Sequence, residues 1–362
     1  MTEKQKGTLK SVLIKTGVIL LTVIVFLVIS LYFVMWILVN GPSPTAKRLF
    51  VLSVKETSAG GFLADIYLSD EEIDLILGGD SGEISDEKTD TSLIKLPSYN
   101  TENGGSSDVS DSQNGNSGNT PSNGGDTPQN GNNENKDGIE VIDIVGSTYN
   151  GKLLIVSDPK RVFVGVPDAY GEGYSGLTVA AMIDKYGAVA GTNAGGFYDP
   201  NGQGTGGIPE GIVIYEGEIR WGSAGGTYSI AGIDADGILH VGNMTGAQAI
   251  ERGVQYAASF GPALVINGNP ASTTLGGGLN PRTAIGQRAD GAMMLLVING
   301  RSIGSLGATL NDLVEIMLAH GAVNATNLDG GSSSIMIKDG EYLTESAYVF
   351  GERVVATAIL VK

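Results

Sequence analysis

Three glycine-rich segments of the chain combine polar side chains with positions where a ligand can approach the backbone closely. They are residues 191–200 (GTNAGGFYDP), 280–286 (NPRTAIG) and 327–334 (NLDGGSSS). Each lies next to a strand-like apolar run, and glycine beside a strand end commonly forms a binding site. Taken singly, each segment is more typical of a turn, since Asp-Gly and Asn-Gly favour turns. Only their joint occurrence predicts a site.

The order and wording of these segments resemble the phosphodiester glycosidase family, whose members cleave a sugar from a sugar-1-phosphate diester. The family pattern has asparagine with Gly-Gly-Phe, then Pro-Arg-Thr-Ala-Ile-Gly, then Leu-Asp-Gly-Gly-x-Ser after an amphipathic helix, and a late arginine. In this chain the matching residues are Asn193 with 195–197, then 281–286, 327–332 and Arg353. The resemblance covers about residues 150–362 and departs from the pattern at Ala194, which separates Asn193 from the glycines, and at Ser332, which replaces a glycine.

Cleavage of a sugar–phosphate bond requires a carboxylate that faces the sugar and cations that hold the phosphate. Arg282 and Arg353 suit the phosphate, because a guanidinium group grips two oxygens at once; a salt bridge is the alternative role of each. Asp329 is the first candidate for the carboxylate, as nucleophile or general base. Glu210 is its candidate partner, with Asp199 behind it, although Glu210 also suits an exposed strand entry.

Substrate contacts are expected from the remaining residues of the three segments. The backbone N–H groups of Gly330 and Gly331 are predicted to form an anion-binding concavity beside Asp329. Asn193 is expected to bind sugar hydroxyls or an N-acetyl group, and Phe197 to stack on a sugar ring unless it is a core aromatic. The predicted substrate-binding set is Asn193, Gly196, Phe197, Arg282, Thr283, Asn327, Gly330, Gly331, Ser332 and Arg353.

The composition argues against several other chemistries. The chain has no cysteine and only two histidines, His240 and His320, which excludes thiolate chemistry and disfavours a zinc site or a histidine nucleophile. A formal net charge of −17 and the absence of a basic stripe disfavour nucleic acid. No cofactor is expected; a carboxylate-bound Ca²⁺ or Mg²⁺ stays open, although no ligand loop is evident.

Short apolar runs and amphipathic segments predict the elements that position these residues. Strands are predicted at 139–145, 153–157, 162–166, 211–215, 263–266, 293–298, 335–337 and 354–361. Helices are predicted at 177–186, 248–258 and 309–320, the last with Thr309 as N-cap. Strands outnumber helices and lack βαβ alternation. We therefore expect an α+β domain over 137–362, built on a mixed twisted sheet with a few packed helices.

An uncharged apolar run at 17–39 predicts one transmembrane helix, since 23 residues span about 34 Å. A cleaved signal peptide is the alternative, but its apolar core is usually shorter and no small-x-small site follows here. Lysines precede the run, although basic residues also follow it. We expect a cytoplasmic tail at 1–16, a single-pass anchor at 17–39, and an extracytoplasmic C-terminal domain.

Two segments connect the anchor to the domain. Residues 40–97 are predicted to form a juxtamembrane stalk with a short helix, which starts at a capping box of Ser69 and Glu72; docking onto the membrane or a partner is the alternative. Residues 98–136 are polar, glycine-rich and nearly free of aliphatic side chains. Such a composition predicts a disordered linker.

Together these expectations describe a membrane-anchored extracytoplasmic glycosidase of the cell envelope. It would hydrolyse sugar-1-phosphodiesters in cell-surface glycans or exopolysaccharide, and its partners would be that glycan and, through 17–39, the lipid bilayer. Two alternatives stay open at this point. One is a non-catalytic module that binds glycan or polyphosphate, and the other is a phosphodiesterase that releases sugar-1-phosphate.

Overall fold

A computed structural model describes residues 3–57, 60–78, 85–96, 137–348 and 350–362. The predicted linker at 98–136 lies wholly outside the described residues, so its disorder stays a prediction. The helices are α1 (Glu3–Asn40), α2 (Pro44–Lys55), α3 (Phe62–Asp65), α4 (Asp70–Gly78), α5 (Val179–Tyr186), α6 (Gly246–Glu251) and α7 (Leu310–Ala319). The strands are β1 (Ile139–Val145), β2 (Asn150–Val156), β3 (Val162–Gly165), β4 (Ala190–Asn193), β5 (Val213–Tyr215), β6 (Glu218–Trp221), β7 (Thr227–Asp234), β8 (Leu239–Thr245), β9 (Val254–Ser259), β10 (Ala263–Ile266), β11 (Asn269–Pro270), β12 (Arg282–Arg288), β13 (Met293–Ile298), β14 (Ala322–Leu328), β15 (Met336–Lys338), β16 (Glu341–Tyr342) and β17 (Ala358–Val361).

Three sheets build the C-terminal domain. The largest has the strand order β1-β2-β13-β12-β14-β10-β11, and the two five-stranded sheets have the orders β16-β15-β4-β17-β3 and β6-β5-β9-β7-β8. Within the described residues, every pairing between these strands is antiparallel. The α+β class is confirmed, but the strands form three antiparallel sheets rather than one mixed sheet.

The inner faces of all three sheets share one hydrophobic core. Its members include Leu154 from the seven-stranded sheet, Val164 from the second sheet and Ile233 from the third. Helix α7 covers the other face of the seven-stranded sheet through Leu313 and Met317. This layered burial fixes the strand ends from which the glycine-rich segments emerge.

Most predicted elements are confirmed, and one is wrong. Helix α7 begins after Thr309, whose side chain caps it in a capping box with Asp312. The helix predicted at 248–258 instead ends at Glu251, and β9 follows after Gly253, which has a φ of +78°. Because β9 pairs with β7 and buries its alanines between neighbouring strands, tertiary packing overrides the helical pattern there.

Helices α2 to α4 pack around the C-terminal end of α1. Its residues Lys10–Asn40 are long and apolar enough to cross a membrane, a property that a signal sequence shares. Val39 joins a small hydrophobic cluster with residues of α2 to α4. The predicted capping box is confirmed, because Ser69 and Glu72 each accept a hydrogen bond from the other's backbone N–H.

Part of the predicted stalk contacts the C-terminal domain. Residues Ser85 and Lys95 donate backbone hydrogen bonds to Ala271 and Ala289. Between them, Thr89 accepts a hydrogen bond from the N–H of Val241. This segment therefore runs along the domain surface, while the predicted domain boundaries themselves stay predictions.

The docking of this segment predicts a measurable contribution to stability. Ile94 is 7 % exposed, whereas the neighbouring Leu93 is 40 % exposed. We expect Ile94→Ala to lower the free energy of unfolding by about 2 kcal/mol, because it removes buried aliphatic surface. Leu93→Ala is the matched control and should change it little. Equal effects of the two substitutions in denaturant titrations would show that the segment is not packed as described.

Candidate active site

One pocket of about 640 Å³ receives residues from all three glycine-rich segments. It lies where the ends of β4, β12 and β14 meet, so the seven-stranded sheet and the five-stranded sheet that contains β4 both contribute to it. The predicted site residues that line it are Gly196, Phe197, Glu210, Arg282, Asn327, Asp329, Gly330, Gly331, Ser332 and Arg353. Asn193 and Thr283 do not line it. The sequence motifs thus converge on one concave surface.

Asp329 lies in this pocket directly after β14, and its backbone N–H donates to the carbonyl of Ala194 at 2.8 Å. Burial, with a smaller contribution from the charge of Asp199, raises the pKa of its carboxyl group to about 7. Hydrogen bonds from Ser333 and from the N–H of Gly330 act in the opposite direction without offsetting the burial. A carboxyl group with this pKa exchanges protons at neutral pH, as a general acid or base must.

Asn193 positions Asp329 instead of facing a sugar, which differs from the prediction. It is completely buried at the end of β4, and its Nδ2 donates to the carbonyl of Asp329 at 2.6 Å. Its Oδ1 accepts from the Thr283 hydroxyl at 2.8 Å and from the Ile335 N–H at 3.2 Å. Both ends of the amide are used, so Asn193 and Thr283 act as supports behind the pocket.

Glu210 is the second carboxylate of the pocket. Its backbone N–H donates to the carbonyl of Gly196 at 2.9 Å. Burial raises its pKa, and the charge of Asp199 raises it as well. Gly196 must lack a side chain, since a Cβ there would lie 2.8 Å from the Phe260 ring and 3.2 Å from Glu210 Oε2. The predicted partner of Asp329 thus lines the same cavity.

Arg353 is tied into the pocket wall by several contacts. It forms an ion pair with Asp199 and donates to the hydroxyl of Ser332 at 3.2 Å. Its guanidinium carbon lies 4.8 Å from the centre of the Phe197 ring. Phe197 belongs to the hydrophobic core and lies beneath this cation, so the core alternative applies and sugar stacking on Phe197 does not.

Arg282 takes the salt-bridge role that was the alternative to phosphate binding. Only 7 % exposed, it donates from Nη2 to Oε2 of Glu56 at 2.7 Å. It also donates to the carbonyls of Ala308 and Gly278. Glu56 follows helix α2 in the juxtamembrane segment, and no motif of the C-terminal domain pointed to it.

The other predicted binding groups, in the Gly330–Gly331 backbone and the Asn327 amide, already have hydrogen-bond partners within the protein. The N–H of Gly331 donates to the carbonyl of Pro281, and Gly330 binds Asp329, so the predicted anion concavity has an internal partner. Nδ2 of Asn327 donates to the carbonyl of Gly261 at 2.7 Å. These contacts shape the loop around Asp329. Because the donors already have partners, fewer of them can bind substrate than predicted.

Arg301 is the residue that sequence reasoning missed. It lines the pocket, and its Nη2 donates to Oδ1 of Asn280 at 3.1 Å and to the hydroxyl of Thr57 at 3.3 Å. Among the described residues, Arg301 has no carboxylate within ion-pair distance, unlike Arg282 and Arg353. Its position just after strand β13 was the signal, because a basic residue at a strand end faces the same rim as the motifs.

The raised pKa of Asp329 predicts a pH-dependent cost to stability. Because the folded-state pKa of Asp329 lies above the ordinary carboxyl value, this group stabilises the folded protein most at pH values below that ordinary pKa. The contribution is lost as the pH rises through about 7. Asp329→Asn carries no such charge. We therefore expect its melting temperature relative to the native protein to rise by about a few degrees between pH 5 and pH 8.

The matched control is Asp236→Asn, which neutralises an exposed carboxylate outside the pocket. Thermal unfolding of the three proteins at both pH values tests the prediction. A melting temperature of Asp329→Asn that falls relative to the native protein as the pH rises would contradict it.

Comparisons with known proteins agree with this geometry. Residues 186–362 match the family model described as NAGPA, phosphodiester glycosidase. The SPbeta prophage-derived uncharacterized protein YomE of Bacillus subtilis (strain 168) is 39 % identical over 99 residues. That match covers 26 % of this chain, and the chain spans 15 % of the length of that relative.

One solved structure shares the fold, and a second resembles this chain more weakly. The catalytic domain of zebrafish N-acetylglucosamine-1-phosphodiester alpha-N-acetylglucosaminidase, described as auto-inhibited by its pro-peptide, has a TM-score of 0.50 at 21 % identity. The alignment covers 62 % of this chain and 81 % of that one. A putative exported protein of Burkholderia pseudomallei K96243 has a TM-score of 0.44 at 17 % identity, over 59 % of this chain and 74 % of that one.

The family match falls on the region that carries the glycine-rich segments, the pocket and Asp329. It ends at the last residue of the chain and begins within helix α5. Residues 186–362 therefore match the phosphodiester glycosidase family model, the same family that the sequence motifs resemble.

Proposed function

We propose that this chain is a hydrolase that cleaves the bond between the anomeric carbon of a sugar and a phosphodiester oxygen. The observation that carries the proposal is the pocket itself. It brings Asp329 and Glu210 together with the guanidinium groups of Arg301 and Arg353. Two carboxyl groups and local cations are what this reaction needs, and the rest of the protein is strongly acidic.

In this mechanism water attacks the anomeric carbon while the bond from that carbon to the phosphate oxygen breaks. The electron pair stays on the phosphate oxygen, and the products are free sugar and a phosphomonoester. Asp329 accepts the proton of the attacking water, a role that suits a carboxyl group with a pKa of about 7. Glu210 supplies negative charge to the oxocarbenium-like sugar, and the arginines bind the leaving phosphate.

The cellular setting is part of the same proposal. The apolar helix Lys10–Asn40 would anchor the chain in the cell membrane, with the C-terminal domain outside. Substrates would then be phosphodiester-linked glycans of the cell surface or exopolysaccharide. The long uncharged helix supports the anchor, and the lysines of the short tail before it favour leaving that tail on the inner side.

Product identity tests the reaction. The full chain in detergent is incubated with UDP-GlcNAc or a synthetic GlcNAc-1-phosphodiester, and the products are identified by mass spectrometry. Free GlcNAc with a phosphomonoester supports the proposal. GlcNAc-1-phosphate would instead indicate a phosphodiesterase, and substrate binding without any product across a substrate panel would indicate a non-catalytic module.

The base role of Asp329 predicts how turnover depends on pH. We expect kcat of the native protein to rise as the pH increases through about 7, because only the ionised carboxylate accepts a proton. Asp329→Asn should lower kcat by about 100- to 10,000-fold and change KM much less. Asp236→Asn should retain native kinetics. A native kcat in Asp329→Asn, or a kcat that falls through pH 7, would remove the base assignment.

The phosphate role of Arg301 gives a second kinetic prediction. Arg301→Ala should lower kcat/KM by about 10- to 100-fold, since it removes a charged hydrogen-bond donor from the leaving group. Arg288→Ala is the control, because Arg288 pairs with Asp290 in a turn outside the pocket. Equal kinetics of the two variants would show that Arg301 does not contact the phosphate.

A further inference from the structure

We propose that the donor groups around Arg282 form a phosphate-binding subsite of the pocket, and that Glu56 of the juxtamembrane segment occupies it as a displaceable carboxylate. The inference rests on the proposed function, which supplies a phosphodiester as the competing anion. Under this inference Arg282 binds the substrate phosphate after Glu56 has left, whereas in the structure it binds Glu56.

Three donors converge on the Glu56 carboxylate from the C-terminal domain. Oε1 accepts from the N–H of Gly278 at 3.0 Å. Oε2 accepts from Nδ2 of Asn280 and from Nη2 of Arg282, both at 2.7 Å. One guanidinium group, one amide and one backbone N–H that face a single anion are the donor types that bind phosphate oxygens. The carboxylate of Glu56 therefore occupies a site whose donors suit an anion.

The domain itself holds these donors in place. Nε and Nη2 of Arg282 donate to the carbonyls of Ala308 and Gly278, so the guanidinium group stays fixed when the carboxylate leaves. Gly277 leaves the space that the anion needs, because a Cβ there would lie 3.0 Å from Oε1 of Glu56. The subsite is therefore preformed, which favours exchange of one anion for another.

The contacts that hold the segment of Glu56 on this rim are polar. Ser53 accepts a hydrogen bond from the N–H of Leu279 at 2.8 Å, and Thr57 accepts one from Arg301 at 3.3 Å. The buried apolar residue Val51 of the same helix packs instead with the N-terminal cluster around Val39. The side chain of Glu56 is 31 % exposed, so solvent and small anions reach it. Because water reaches these polar contacts, an incoming phosphate can replace the Glu56 carboxylate in them.

The charge balance of the pocket favours such an exchange. With Glu56 present, four acidic side chains (Glu56, Asp199, Glu210 and Asp329) face three arginines (Arg282, Arg301 and Arg353). An anionic phosphodiester that enters this pocket meets no excess of positive charge. Removing the Glu56 carboxylate leaves three acidic side chains against three arginines and exposes the donors around Arg282, so the juxtamembrane segment competes with substrate.

The test compares phosphate binding to the full chain in detergent micelles. Inorganic phosphate is titrated calorimetrically into the native protein, Glu56→Gln and the control Glu71→Gln, which removes the same charge from an exposed position of helix α4. We expect Glu56→Gln to bind phosphate about tenfold more tightly, since the competing charge is gone and the donors remain. KM for a GlcNAc-1-phosphodiester should fall in parallel, and Glu71→Gln should match the native protein.

Two further variants separate the outcomes. Glu56→Gln with Arg282→Gln should lose the gain in phosphate affinity, and Ser53→Ala, which weakens docking but keeps the carboxylate, should show a smaller gain. Unchanged or weaker phosphate binding by both Glu56→Gln and Ser53→Ala overturns the subsite, whatever happens to the melting temperature. Tighter phosphate binding without hydrolysis of any sugar-1-phosphodiester keeps the subsite and removes the proposed function instead.

Discussion

The buried amide of Asn193 ties together the strands on which the pocket depends. It joins β4 of one sheet to Thr283 on β12 of another and to the loop that carries Asp329. The Asn193 side chain is completely buried, so these hydrogen bonds are shielded from water. A buried amide that lost these partners would leave several polar groups unsatisfied, which is costly. The position of Asp329 is thus set by a polar contact inside an otherwise apolar junction.

Burial explains the electrostatics of the site. Asp329 lies where apolar strands from two sheets end, and the low polarity of that junction raises its pKa more than Arg353 and the local hydrogen bonds lower it. The same junction makes charged arginines costly unless carboxylates accompany them. Arg353 with Asp199 and Arg282 with Glu56 satisfy that requirement. Arg301 keeps neutral partners instead, which leaves its charge available to a ligand.

The segment that connects α1 to the C-terminal domain also contributes to the pocket wall. Glu56 and Thr57 line the cavity, while residues 85–95 continue along the domain surface. A chain anchored through α1 would therefore hold its active site close to the end of that helix. In the proposed setting, membrane attachment and access to the site are then linked through one short helix.

The sequence by itself determined the secondary structure of strongly patterned segments and the three glycine-rich segments that meet at the pocket. The capping box at Ser69, the N-cap at Thr309 and the α+β class follow from local rules, since a cap or a strand pattern depends on near neighbours. The convergence of the three motifs was also predictable from their resemblance to one family. Helix prediction failed at 254–259, where pairing with a distant strand decided the outcome.

Only the tertiary structure decided which polar residues face the pocket and which support it. Asn193 and Thr283 have the same residue types that a binding site would use, but their depth in the core gives them protein partners. Glu56 reaches the pocket from a segment far away in sequence, and no local pattern encodes such a contact. Side-chain direction and burial arise from how the sheets stack, which is why the sequence named the motifs but not the role of each residue within them.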